Sequence, residues 1–376
     1  MPEKKRSVYM DNSELAKSGK KRTIMIGIAV TAATVALMYY GCAFRDTARW
    51  KGNPIGVSSA SASFDCKAAG DIVVPREIDG VPVTWVGGDG NTSMTSISLP
   101  DTVTSLDFQD CSSLESINIP DSVTRLQFGG CSSLTEIKIP DSVTSLGAYS
   151  EYGVFEGCSS LRSVELPENL TFLARSIFKG CTSLESINIP DNVSEIGNGA
   201  FEGCSSLNSI IIPDSVSKIG EEAFSGCSSL RSVNLPENLT KIEKEVFRDC
   251  TSLNSIDIPA SVSVIDTNAF MDCSALTAID LSEGLTEIGF QAFAGCSSLE
   301  RVDLPDSLQT ILDAAFCACS SLTDIYIPNF VSHLGALTFY ECPSLQNISV
   351  PSTIQIDTTV LFTSHENEWL SRVYRR

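Results

Sequence analysis

The residues of this 376-residue chain with the most chemistry open to them are its 14 cysteines, and their spacing decides which of that chemistry they do. Cys158, Cys181, Cys204, Cys227, Cys250, Cys273, Cys296, Cys319 and Cys342 recur at an unvarying interval of 23 residues, and Cys111 and Cys131 extend the series upstream at intervals of 20 and 27. Zinc calls for Cys-x-x-Cys pairs, and the sequence has none. If equivalent residues stack, neighbouring Cβ atoms lie about 4.8 Å apart, outside the roughly 3.5–4.5 Å that a disulfide spans, so the columnar thiols stay unpaired. They read as small buried hydrophobes at the corner before each strand. Cys42, Cys66 and Cys317 fall outside the column, and Cys317 reads as a surface substitution or an exposed thiol.

Other catalytic or cofactor chemistry finds no support. The two histidines, His333 and His365, have no second ligand at metal spacing, no Gly-rich phosphate loop follows a strand, and Gly-x-Ser-x-Gly is absent. The expectation is a non-enzyme without cofactor or metal site. Binding chemistry is better represented. Asp257, Asp280 and Asp303 share one place in three successive copies of the repeat, with Asn234 before them and Tyr326 after them. Stacked carboxylates about 4.8 Å apart repel unless water, salt or a cation intervenes, and aromatics beside charges favour a partner, so these five are the candidate ligand-binding residues. Asn91, Asn169, Asn192, Asn238 and Asn347 each open an Asn-x-Ser/Thr sequon that a eukaryotic secretory pathway could glycosylate. The repeat also generates such triplets whenever Asn falls in its turn.

Positioning these residues requires one coil per repeat. Leu207, Ile210 and Ile212 alternate with polar residues, the signature of a strand with one buried face. Pro213 ends it, lacking an N–H for the ladder. Val216, Ile219, Ala223 and Phe224 then recur every three to four residues at most, as in a short helical or 3₁₀ turn on the opposite side. A period of 20 to 29 residues with this skeleton means a leucine-rich solenoid. Twelve strands from Ile97-Ser-Leu-Pro100 to Ile348-Ser-Val-Pro351 make a parallel sheet roughly 55 Å long at about 4.8 Å per strand. Asp79-Gly80 marks a two-residue hairpin in the N-terminal cap.

Gly70-Asp-Ile-Val-Val-Pro75 and Ile78-Asp-Gly-Val-Pro-Val83, followed by repeated Cys-Ser-Ser-Leu-x-x-Ile-x-Ile-Pro-Asp-Ser-Val-x-x-Ile-Gly-x-x-Ala-Phe, resemble the BspA-like leucine-rich repeat proteins over about Gly70 to Phe362. The resemblance implies a surface-displayed or secreted protein engaged in adhesion and recognition, and it carries no ligand residues onto this chain. Three departures stand out. Ser282 replaces the strand-ending Pro, Gly88-Asp-Gly90 occupies the first Ala-Phe position, and the coil between Cys111 and Cys131 lacks the Ala-Phe pair.

Ahead of the repeats, residues 1–22 are rich in Lys and Arg, and residues 23–44 are uncharged and apolar. Twenty-two residues at about 1.5 Å each reach roughly 30 Å, enough to cross a bilayer, and the basic block predicts a cytoplasmic N-terminus. Cleavage as a signal peptide near Gly41-Cys-Ala43 is the alternative, giving a secreted form. Ten Lys+Arg against four Asp+Glu through Lys51 leave a net of +6, so residues 52–376 carry −26 of the total of −20. Such a surface repels nucleic acid.

The fold expectation is an α/β solenoid, a leucine-rich repeat horseshoe with a parallel concave β-sheet and short helical or 3₁₀ convex turns, preceded by one transmembrane helix. Its parts are a basic tail at 1–22, a signal-anchor at 23–44, a flexible stalk at 45–65, the solenoid at 66–363 and a polar tail at 364–376. The function expectation is a membrane-anchored extracellular or lumenal protein recognising a protein or glycan, including cationic ones, through the concave face. The alternative is a structural cell-surface protein without a specific ligand.

Overall fold

The computed structural model describes residues 60–63, 68–78, 80–147, 153–352, 354 and 373–375. A single coil runs through the front strand Ser209–Ile211, a turn at Pro213, the back strand Lys218–Ile219 and further turns leading to Cys227. Ile210 is buried between the exposed Ser209 and Ile211, the alternation of a half-buried strand. The next coil repeats it in parallel register, with Ser209 beside Ser232, Ile210 beside Val233 and Ile211 beside Asn234. All twelve expected rungs are present: ten are strands, from Met94–Ser98 to Asn347–Val350, and Asn188 and Asp257 complete the series as single bridges.

The back of the coil corrects the expected helical or 3₁₀ turn. No helix occurs among the described residues, and the back is a second parallel β column. One run joins Phe172–Leu173, Glu195–Ile196 and Lys218–Ile219, and another runs from Lys241–Ile242 to His333–Leu334. The reason lies in the backbone donors. Ser217, Gly220, Glu222, Phe224 and Gly226 give their N–H groups to carbonyls of Ser194, Ile196, Lys244, Val246 and Arg248 in the adjoining coils at 2.7–3.0 Å. Those donors are no longer free for the i to i−4 bonds of a helix. Corners close instead by i to i−3 turns, with Val216 N–H on Pro213 O and Cys227 N–H on Phe224 O at 3.0 and 3.1 Å.

Both ends of the solenoid reach further than expected. Glu77–Ile78 pairs antiparallel with Val81 and Pro82 across the Asp-Gly turn, with Gly80 left-handed at φ 78°. Gly70–Val73 joins the front sheet beside Met94–Ser98, and Val81–Gly87 joins the back sheet beside Ser105–Asp107. Ala60–Ser63 pairs parallel with Val81–Gly87, so the segment expected as a flexible stalk over 45–65 ends in a rung whose Ala62 is buried. At the other end Val373–Arg375 lies parallel to Ile348–Val350 where a polar tail over 364–376 is expected. Leu370-x-x-Val373 keeps the spacing of Leu207-x-x-Ile210, a signal hidden among arginines. The basic segment 1–22 and the apolar span 23–44 lie outside the described residues. No helix among the described residues is long and apolar enough to cross a membrane.

Inside, equivalent residues sit on one another. One buried Phe per coil, from Phe108 to Phe339, stacks on the next with ring centroids 5.3–6.0 Å apart, within the range where aromatic pairs add to area burial. Phe128 belongs to this column, so the short coil before Cys131 keeps its ring. Only the alanine is lost, replaced by Gln127, whose Nε2 donates to Gly153 O at 3.3 Å. The thiols form a second column. Cys204 Sγ donates to Phe178 O and Cys227 Sγ to Phe201 O at 3.2 Å, and the same bond to a phenylalanine carbonyl recurs from Cys131 to Cys342. The eleven columnar cysteines are free and buried, whereas Cys317 is free and half-buried. Cys42 and Cys66 lie outside the described residues. Burial pushes the Cys227 thiol up to about 12, because a thiolate there would lose its hydration.

Removing one ring from the stack opens a cavity between two neighbours. Phe224→Ala should cost about 3–5 kcal/mol, and hydrogen exchange should accelerate first in the coils around residue 224. Uniform acceleration from end to end would contradict nearest-neighbour coupling.

The thiols have their own signature. The folded Cys227 holds its proton until about pH 12 and the unfolded chain loses it near 9. This contribution to stability is complete below about pH 9 and is lost between 9 and 12. Iodoacetamide should label few cysteines of the native chain at pH 8, and denaturation without reductant should release about eleven more. Alkaline unfolding should set in across that same interval, and a melting temperature flat to pH 12 would count against the buried thiol column.

Candidate functional site

The front sheet positions the candidate residues. In each rung one aliphatic residue turns inward, and the residues on either side of it face solvent. Asn234, Asp257, Asp280, Asp303 and Tyr326 occupy one outward column in successive rungs, and each is exposed. Asp280 sits directly beside Asp303 in register, and Asp257 bridges to Asp280. The structure therefore brings all five together on one face.

Their roles differ more than the sequence suggests. Asn234 Nδ2 donates to Ile212 O and its Oδ1 accepts the Ile212 N–H, both at 3.0 Å. That amide extends the backbone ladder of the preceding rung, which removes it from direct ligand chemistry. Asp303 receives a two-pronged contact, Nε and Nη2 of Arg301 at 3.1 and 2.5 Å. The guanidinium holds the Asp303 carboxyl below the usual carboxylate range. No salt bridge reaches Asp257 or Asp280 among the described residues. The acidic column is thus two open carboxylates followed by one neutralised pair. On the back, by contrast, Lys241 lies between Glu243 and Asp266 at 2.6 and 2.7 Å. Among the described residues no group of three or more His, Cys, Asp or Glu could hold a metal ion.

Sequence reasoning passed over several outward groups. Ile211 is 76% exposed in the same outward column, and Phe330 is 69% exposed in the turn that follows the candidate Tyr326, itself 45% exposed. Phe330 was findable: it fills a turn position where Ser122, Ser142, Ser215 and Ser307 each donate a hydroxyl to the preceding coil. Asp324 also joins the face, accepting a hydrogen bond from Asn347 Nδ2 and standing beside Arg301 in register.

The sequons separate by burial. Asn169, Asn192, Asn238 and Asn347 are exposed. Asn91 is fully buried; its Oδ1 accepts the N–H groups of Ser93 and Met94 at 2.9 and 2.8 Å, and its Nδ2 donates to Ala68 O at 2.9 Å. In the folded chain Asn91 is a loop-capping amide beyond the reach of a glycosyltransferase, which corrects the expectation for that site.

Stacked 23-residue coils with a parallel front sheet and an inward Leu, Ile and Phe skeleton define a leucine-rich repeat solenoid. The chain belongs to the family described as the BspA type leucine rich repeat region, whose model matches residues 90–152, 150–277 and 240–367. It is similar to a leucine-rich repeat protein from Bacteroides ovatus at 24% identity and a TM-score of 0.59, covering 89% of this chain and 99% of that one. It is also similar to a leucine rich cell surface protein from Faecalibacterium prausnitzii at 29% identity and a TM-score of 0.52, covering 84% and 93%. No curated protein matches the chain.

Because Asp257 and Asp280 face solvent and do not support the core, Asp257→Asn with Asp280→Asn should leave the melting temperature unchanged or raise it at low salt. Any gain should vanish at high salt, where the repulsion is screened. A lowered melting temperature by circular dichroism would instead give those carboxylates a structural role.

Proposed function

We propose that the protein is a non-enzymatic recognition and adhesion module that takes a protein or glycan partner on its front sheet. The supporting observation is a division of labour within the coil. Inward strand positions stay aliphatic, as stacking requires. The outward column changes class from Asn188 to Ile211, Asn234, Asp257, Asp280, Asp303 and Tyr326, although no rung needs that change to stack. Exposed apolar and aromatic residues beside charged ones are the groups that dominate binding energy when a partner covers them.

In this reading residues 23–44 anchor the chain, residues 1–22 stay cytoplasmic, and the solenoid faces the extracellular side or a lumen. Cleavage near Gly41 would release the same solenoid as a secreted protein. Surface placement draws support from the description of the similar Faecalibacterium prausnitzii protein as a cell surface protein. The net charge of −26 over residues 52–376 favours protein, glycan or cationic partners over nucleic acid. In a eukaryotic host, glycans on Asn169, Asn192 and Asn238 would line the turns beside the face and leave it open.

Expression of the full chain on intact cells tests both parts of the reading. Added protease should remove the solenoid while the N-terminus stays protected. Cells carrying Ile211→Arg with Tyr326→Ala should lose adhesion to the surface that the wild type binds, and Phe290→Ser in a back turn should keep it. A protease-resistant solenoid on sealed cells would refute the topology. Adhesion insensitive to the front pair would move recognition elsewhere, and a wild type that adheres to nothing selectively would be a spacer.

A further inference from the structure

Resting on the recognition reading, we propose that the front sheet from Ile211 to Asp280 docks a basic amphipathic helix of a partner protein, laid along the solenoid axis. One aliphatic side chain of that helix covers Ile211, and two Lys or Arg side chains meet Asp257 and Asp280. Ile211 is 76% exposed, more than any other large hydrophobic side chain at the surface of the described residues. Asp257 and Asp280 are exposed in the same outward column and bridge to each other in register. Neither carboxylate enters an ion pair or a side-chain hydrogen bond among the described residues. Asn234, between Ile211 and Asp257, already has its Oδ1 and Nδ2 on the backbone of Ile212 at 3.0 Å. A partner that covers that amide therefore leaves its carbonyl and one of its N–H groups satisfied.

Charge and spacing together select the occupant. On these four rungs and the turns that follow them, Arg231 is the one outward cation against Asp214, Glu237, Asp257, Asp280 and Glu283, all exposed, for a net of −4. That field, within a surface of net −26, draws in a cationic segment and repels an acidic one. At about 4.8 Å per rung, Asp257 lies roughly 10 Å and Asp280 roughly 14 Å from Ile211 along the column. A helix rising about 1.5 Å per residue places residues i, i+7 and i+11 on one face at about 0, 10 and 16 Å, and a flexible Lys or Arg stem takes up the last 2 Å or so. An extended chain presents one face about every 7 Å, at roughly 7 and 13 Å, and so straddles Asp257. The neighbouring outward column is small where the helix must approach: Ser209, Ser232, Ser255 and Ala278 form a low floor, with Ser209 beside Ser232 in register. Arg301, beside Ala278, closes that floor, its guanidinium spent on Asp303.

The test uses the full chain in a neutral detergent and a fluorescent Ala-rich helical peptide of about 20 residues, with Leu at i and Lys at i+7 and i+11. Two control peptides keep its composition: one moves the lysines to the face opposite the leucine, and one carries a central proline that breaks the helix. Anisotropy at low salt should show the matched peptide binding at least about fivefold more tightly than either control, with the difference shrinking as salt is raised. Asp257→Asn with Asp280→Asn should weaken binding about fivefold or more, and Ile211→Ser about tenfold. Glu221→Gln with Glu287→Gln, which removes the same charge from the back of the coil, should change it less than about twofold. No binding of the matched peptide would overturn the proposal. So would equal binding of the peptide with displaced lysines, which reports bulk charge alone, or of the proline peptide, which reports an extended partner. Binding that the front variants leave intact while circular dichroism shows them folded would overturn it as well. Failure here with wild-type cells still adhering through the front face removes the helical partner and leaves the recognition reading standing, whereas cells that adhere to nothing selectively remove both.

Discussion

Everything in this molecule depends on each coil giving its backbone hydrogen bonds to its neighbours. Phe201 N–H goes to Ala223 O, Phe224 N–H to Val246 O and Phe247 N–H to Ala269 O at 2.8–2.9 Å, so each coil is completed by another and none is complete alone. That exchange requires the coils to superpose, and superposition imposes the 23-residue period. It also fixes the residues at close approaches. A Cβ on Gly220 would come within 2.6 Å of Asn198 N, and one on Gly153 within 1.7 Å of Ser176 O. Glycine at those points follows from stacking distance rather than from local turn preference.

The same constraint explains why residue types that usually signal chemistry are so frequent here. Thiols and hydroxyls serve as short donors toward carbonyls of the preceding coil. Cysteine does this for the phenylalanine carbonyl. Serine and threonine do it in several further columns, among them Ser205 to Thr182 O, Ser217 to Ser194 O and Ser215 to Val193 O at 3.3, 3.4 and 2.6 Å. A solenoid repeats its satisfaction problem at every step, and one small donor per coil solves it each time. Abundant cysteine and serine are therefore structural in this fold, and the thiols' high proton affinity is a by-product of burial.

Freedom remains where the stack makes no demand. Outward front residues face solvent, and there the chain places Ile211, paired and open aspartates, and Tyr326. Even that freedom is partial. Asn234 lends its amide to the backbone of Ile212, and Asp303 and Asp324 are engaged by Arg301 and Asn347. A column that reads as uniformly acidic in one dimension is divided in three dimensions into an open carboxylate pair and a third aspartate held by Arg301.

The sequence alone determined the repeat, its length, the rung positions and the inward set, because a buried column admits one class of side chain at one spacing. It also separated the candidate face from the core, since period-two alternation assigns each strand residue to a side. Three things were decided only by tertiary structure. Three-to-four spacing over Val216 to Phe224 cannot distinguish a helical turn from the corners of a polygon, and intercoil hydrogen bonds settled it as a second β column. Ala60–Ser63 and Val373–Arg375 carry too few apolar residues to announce themselves as rungs, and they become strands because a finished edge is already there to pair with. Finally, which polar side chains remain available was not legible at all: Asn91 and Asn234 look like surface amides in sequence, and only the backbone groups brought within 3.0 Å of them make them structural.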